Sequence, residues 1–185
     1  MAARALEFAI LTAARTGEVL GARWGEIDLD AKVWTVPAGR MKAGREHRVP
    51  LSEASLAVIG TVRPLALMRD GKPDLAAPVF PGPRRALPMS NMVMLMLLRR
   101  MKRGDVTAHG FRSTFSDWAA ERTGYPREVV EMALAHAVEN KAEAAYRRGD
   151  LFEKRRQVME AWAGFCTAPG TDARVVPMRP VARKG

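Results

Sequence analysis

The stretch VWTVPAGRMKAGREHRVPL, residues 33–51, decides how the chain is read. Val33-Trp-Thr-Val36 alternates β-branched and aromatic residues, the pattern of a strand. His47-Arg-Val-Pro-Leu51 reads as its partner, with Pro50 suited to an edge or a strand end because proline has no N–H to give to a ladder. The link holds Gly39, Arg40, Lys42, Gly44 and Arg45, and so reads as a hairpin with a flexible basic tip. Ile27 to Leu29 supplies a further short strand. Outside this region the apolar residues recur at helical spacing. The fold class is therefore mainly α with a small antiparallel β-sheet, an α+β domain whose sheet lies near residues 26–52.

N-terminal to the hairpin, residues 2–14 read as a helix and Thr16 as the cap of a second, whose apolar face carries Val19, Leu20 and Trp24. Ser52-Glu53 opens a helix that runs to about residue 68 and is disturbed at Pro64. Residues 70–87 are rich in Pro and Gly and read as loop, with a short extended piece at Pro78-Val-Phe80. A Met- and Leu-rich helix follows from Ser90-Asn91 to Arg103, its stripe a core face. The next helix carries His109 and Arg112 and buries Phe115 and Trp118. Pro126 opens another that ends near His136, and Asn140 caps one carrying Tyr146. The last runs over residues 151–165, with Trp162 apolar and Lys154, Arg155 and Arg156 exposed. Residues 167–185 are basic and Pro-rich with little to bury, the composition of a disordered tail.

At 185 residues the chain suits one well-buried core, and no internal boundary or repeat divides it. Thirty Lys and Arg against twenty Asp and Glu leave a net charge of +10, for which a polyanion, nucleic acid above all, is the natural partner. A lone cysteine, Cys166, excludes an intrachain disulfide framework and fits a reducing cytoplasm. No apolar run reaches membrane-span length, and no signal-peptide pattern opens the chain. The histidines and the cysteine have no zinc-ligand spacing, so neither metal nor cofactor is expected.

The chemistry-bearing residues recur in order. Arg15 sits in Leu11-Thr-Ala-Ala-Arg15-Thr-Gly-Glu18, and Lys42 in the hairpin. His109-Gly-Phe-Arg112 follows, then Leu134-Ala-His136, then Tyr146 in Ala-Ala-Tyr-Arg-Arg. Two guanidiniums, an ammonium, two imidazoles and a phenol suit phosphodiester chemistry without metal: cations clamp phosphate and tyrosine is a nucleophile. Taken singly, each has an ordinary reading. Arg15 and Arg112 could be salt-bridging, Lys42 solvated, His109 a helix-start residue, His136 a C-cap and Tyr146 a packing residue. His47 reads as a strand residue and Tyr125 as structural.

The ordered set resembles the catalytic domain of tyrosine recombinases, the phage integrase family, with its nearest likeness to prophage integrases of the satellite-phage type. The likeness covers about residues 5–165, and the domain is assigned to residues 1–166. It implies site-specific DNA recombination through a 3′-phosphotyrosine on Tyr146. Arg15 and Arg112 would clamp the non-bridging oxygens and Lys42 would protonate the leaving oxygen. His109 would assist proton transfer, His136 would donate to the phosphate and Glu18 would orient an arginine. Arg40, Arg45, Arg147 and Arg148 are the expected DNA contacts. The resemblance also implies double-stranded attachment-site DNA as partner, a tetramer on DNA, a bacterial cytoplasmic location, and an N-terminal core-binding domain that this chain lacks. Two alternatives share the fold: a remnant that binds DNA without recombining it, and a type IB topoisomerase-like relaxing enzyme.

Overall fold

A computed structural model describes residues 1–136 and 149–169. In chain order it comprises α1 (Ala2–Thr12), α2 (Thr16–Leu20), β1 (Ile27–Asp28), β2 (Val33–Val36), β3 (His47–Pro50), α3 (Glu53–Val62), β4 (Met68–Arg69), β5 (Lys72–Pro73), α4 (Val93–Arg100), α5 (Gly110–Arg122), α6 (Arg127–Ala133) and α7 (Phe152–Thr167). Short 3₁₀ turns occupy Trp24–Glu26, Ala38–Arg40 and Arg63–Leu65.

The hairpin forms as its alternation requires. β2 pairs antiparallel with β3, Trp34 opposite Val49 and Val36 opposite His47, and β1 adds on the other side of β2. The tip turns through Gly44, whose φ of 63° is a left-handed conformation that glycine adopts without steric cost. Ser52 caps α3 by accepting from the Ser55 N–H at 3.3 Å, and Pro64 falls in the 3₁₀ turn that ends that helix.

Three expectations need correction. Thr16 does not cap α2. Arg15 is the N-cap, and Glu18 reaches back to accept its N–H at 2.9 Å. The loop after α3 contains a small hairpin, β4–β5, turned by Asp70 and Gly71 at positive φ. Arg155 is not exposed on α7: it is 1% exposed, among the most deeply buried side chains of the described residues. The expected cap at Asn140, the helix around Tyr146, and residues 170–185 of the proposed tail lie outside the described residues.

Two apolar cores result. The first gathers α1, the sheet, α3 and α4 around Phe8, Trp34 and Phe80, with Phe8 5.4 Å from each of the other two rings. The second joins α5, α6 and α7 around Phe115, Trp118 and Trp162. α1 is their common wall. Ile10 packs against both cores, and the Trp162 indole N–H donates to the Ile10 carbonyl at 2.8 Å. Trp162 also meets Phe115 edge-on at 5.4 Å and Trp118 at 5.2 Å. Trp162→Ala should therefore lower the unfolding free energy by about 3–5 kcal/mol, the usual cost of emptying an aromatic core site. Urea denaturation midpoints measure this, and a loss under about 1 kcal/mol would contradict the role given to α1.

Candidate phosphate-binding site

The seam between the two cores carries the site. α1 ends at Ala13, which takes a left-handed φ of 49° with no glycine to ease it, and so turns its carbonyl toward α5. The Arg112 guanidinium, 5% exposed, enters from α5. It donates through Nη1 to the Ala13 carbonyl and through Nη2 to the Leu134 carbonyl at 2.6 Å. A charged group buried to this degree requires such partners. Burial, and then the like charge of Arg15, lower its pKa to about 10, with Glu18 opposing, so it remains a cation at neutral pH.

Arg15 arrives from the other side of the seam. Nη1 donates to Glu18 at 2.8 Å and Nη2 to the Ala135 carbonyl at 3.3 Å. Glu18 is itself buried, and with both its oxygens on Arg15 it fixes the direction of that side chain. Ala135 is a second alanine at left-handed φ, 50°. The two arginines thus hold adjacent carbonyls of one turn, residues 134 and 135, and that turn delivers His136. Its Nε2 lies 3.5 Å from Arg112 Nη2, while Nδ1 meets the Glu131 carboxylate at 2.6 Å. A carboxylate can only accept, so Nδ1 carries the proton and Nε2 is the nitrogen turned toward Arg112.

The structure therefore brings together Arg15, Glu18, Arg112 and His136. His109 stands at the N-cap of α5, exposed, three residues before Arg112 on the same helix, where Thr107 accepts the Gly110 N–H at 3.0 Å. Lys42 and Arg45 are exposed on the hairpin tip, without an ion pair to any described residue. Arg40 is placed differently. Its guanidinium pairs with Glu26 and donates to the Glu18 carbonyl at 3.0 Å. It lies so close over Gly21 that a Cβ there would come within 2.7 Å of Nη1. Tyr146, Arg147 and Arg148 lie outside the described residues. Tyr125 is structural as read, its hydroxyl donating to the Gln157 carbonyl at 3.3 Å. Cys166 is exposed near the end of α7, and partial burial of the thiol pushes its pKa up to about 11, which suppresses thiolate chemistry.

The residues match a known family model, the phage integrase family, over 2–150. The chain belongs to that family. Among curated relatives, the prophage integrase IntA of Escherichia coli K12 is 38% identical over 168 residues, which cover 90% of this chain and 39% of that protein. The chain thus spans about two fifths of the relative's length. Among solved structures, the integrase from mycobacterium phage Brujita aligns with a TM-score of 0.63 at 20% identity, covering 92% of this chain and 54% of that one. The Tn1549 transposon integrase, solved in complex with transposon right end DNA, aligns with a TM-score of 0.55 at 18% identity, covering 85% and 57%. These neighbours share the recombinase catalytic fold, as the sequence implied.

Two site neighbours were not legible as such in the sequence. Glu131 had no motif to mark it. His47, read as a strand residue, does begin β3. Its half-buried ring also lies within electrostatic range of Arg155, Glu18 and Arg15. Burial, and then the Arg155 charge, lower its pKa from 6.5 to about 4. A histidine depressed in this way binds fewer protons folded than unfolded between those values. The stability it permits is complete above pH 6.5 and is lost as pH falls toward 4. Denaturation midpoints should fall from pH 7 to pH 4.5, and the fall should be shallower in His47→Gln. Equal pH slopes for the two proteins would refute the burial of a neutral imidazole.

Proposed function

We propose that this family member breaks and rejoins double-stranded DNA at attachment sites, with Tyr146 as nucleophile. The tyrosine oxygen attacks the scissile phosphorus and the P–O5′ bond breaks. A 3′-phosphotyrosine forms while the departing 5′-oxygen takes up a proton. Attack by the 5′-hydroxyl of a partner strand reverses the step on a new junction and frees Tyr146. Ester energy is conserved throughout, so the reaction needs no nucleotide cofactor and no metal.

The observation that carries this reading is the convergence of Arg15, Arg112 and His136 on one backbone turn. Glu18 is the one carboxylate bound to the pair of guanidiniums, so the pair keeps net positive charge that a phosphodiester would neutralise. The guanidiniums are held in place by Glu18 and by protein carbonyls, so little reorganisation would accompany the development of charge on the phosphorane oxygens. His136, its Nδ1–H fixed by Glu131, would present Nε2 to a non-bridging oxygen once protonated. Lys42, exposed on the hairpin tip, would protonate the 5′-oxygen, and His109 would take or return the Tyr146 proton. Arg45, Arg147 and Arg148 would contact flanking phosphates. Arg40 is better read as the brace between α2 and the sheet, because its guanidinium is committed to Glu26 and Glu18.

The net charge of +10 supports a nucleic-acid partner, and among the described residues no helix is long and apolar enough to cross a membrane. A tetramer on DNA in the bacterial cytoplasm completes the reading. The test is a pool of nicked duplexes with a randomised core, in which cleavage lets a short 5′-hydroxyl strand diffuse away and traps the adduct. The full chain should form an SDS-resistant protein–DNA species, and Tyr146→Phe should form none. Arg112→Lys should reduce the yield by about 100-fold or more, since it loses the planar donor pair. An adduct that persists in Tyr146→Phe would overturn the assignment.

A further inference from the structure

The buried Arg155 and the partly exposed Asp150 form a clamp that the phosphate site does not use. Every polar atom of Asp150 beyond its N–H is engaged. Its carbonyl accepts from Arg155 Nε at 2.7 Å, Oδ2 accepts from Arg155 Nη2 at 2.7 Å, and Oδ1 accepts the Phe152 N–H at 3.2 Å. The remaining arm of Arg155, Nη1, donates to the Arg48 carbonyl of β3 at 2.5 Å. The Arg48 guanidinium lies 4.1 Å over the Phe152 ring and 3.5 Å from Asp150 Oδ2. Leu151, between Asp150 and the helix, is held at a left-handed φ of 50°. One guanidinium with a 2% exposed side chain thus joins three things: the start of α7, the strand that follows the Lys42 hairpin, and the backbone at residue 150.

The placement in sequence gives the clamp its meaning. Only Arg147, Arg148 and Gly149 separate Tyr146 from Asp150, a tether of at most about 14 Å when fully extended. On the other side, nine residues separate Tyr146 from the anchored turn at His136. The short tether limits where the tyrosine can be, and a surface role would not require an arginine removed from water. We propose that Asp150 and Arg155 are positioning residues for the Tyr146 nucleophile: the clamp sets the anchor from which the tyrosine reaches phosphorus. This rests on the reading of Tyr146 given above.

The experiment measures single-turnover adduct formation by the full chain at saturating nicked duplex, for the parent, Asp150→Asn and Arg155→Lys. A second duplex carries sulfur in place of the bridging 5′-oxygen. Its thiolate leaving group needs no proton, so Lys42 becomes dispensable while the attack by Tyr146 is unchanged. The expected result for Asp150→Asn is a rate on the order of 10- to 100-fold lower, the size of a small misplacement of a reacting group. DNA affinity should change less than about twofold, and the drop should be the same on the sulfur duplex. Asp150→Asn keeps the size and most of the hydrogen bonds, so it serves if Arg155→Lys does not fold. An unchanged rate with only a lowered Tm would overturn the proposal and leave a purely structural clamp. Recovery on the sulfur duplex would also overturn it, by routing the effect through Lys42. Absence of adduct from the parent chain would instead count against the Tyr146 reading itself.

Discussion

The buried guanidinium of Arg112 is the constraint to which the rest of the structure answers. A permanent charge removed from water is tolerated only where fixed dipoles replace the solvent. Those dipoles are the carbonyls of Ala13 and Leu134, one at the end of α1 and one after α6. Bringing them together closes the first core against the second. It also accounts for Ala13 in a left-handed conformation, an arrangement that costs about 1–2 kcal/mol for a residue with a Cβ and persists only where surrounding contacts demand it.

From that constraint the electrostatics of the site follow. Arg15 sits close enough to Arg112 to disfavour the Arg112 charge, and a single carboxylate, Glu18, stands against the two guanidiniums. Arg112 spends its inner donors on the Ala13 and Leu134 carbonyls and Arg15 on Glu18 and the Ala135 carbonyl, which fixes both guanidiniums in direction. The arginine pair thus keeps residual positive charge beside a histidine whose tautomer is set by Glu131. The same logic recurs at the other end of the segment that carries Tyr146. There a second buried arginine, Arg155, draws its partners from Asp150 and β3. Buried arginine bound to backbone is how this chain joins elements distant in sequence.

Much of this was legible in the sequence, for identifiable reasons. The β2–β3 hairpin announced itself because alternation, glycine and proline all pointed one way. The helices carrying Arg112 and Trp162 were marked by aromatic residues at helical spacing. Glu18 was read as an orienter of arginine because it lies three residues after Arg15, and it is bound there. What escaped depended on tertiary neighbours. Arg155 looked like one of three solvated cations in Lys-Arg-Arg, because nothing local says that its partner is Asp150 and its cover is β3. Arg40 looked like a free cation because Glu26 lies fourteen residues away on another element. The left-handed alanines at 13 and 135 carry no glycine to signal them. Glu131 and His47 became site neighbours only when α6 and β3 packed against the arginines.

In the proposed reaction Tyr146 attacks a DNA phosphate held by the pair Arg15–Arg112. The most direct measurement is to trap the protein on DNA, digest both, and sequence the nucleotide-bearing peptide by mass spectrometry. The expected product is a nucleotide joined through its 3′-phosphate to Tyr146. A link to Tyr125, the chain's other tyrosine, or a link through a 5′-phosphate, would contradict it.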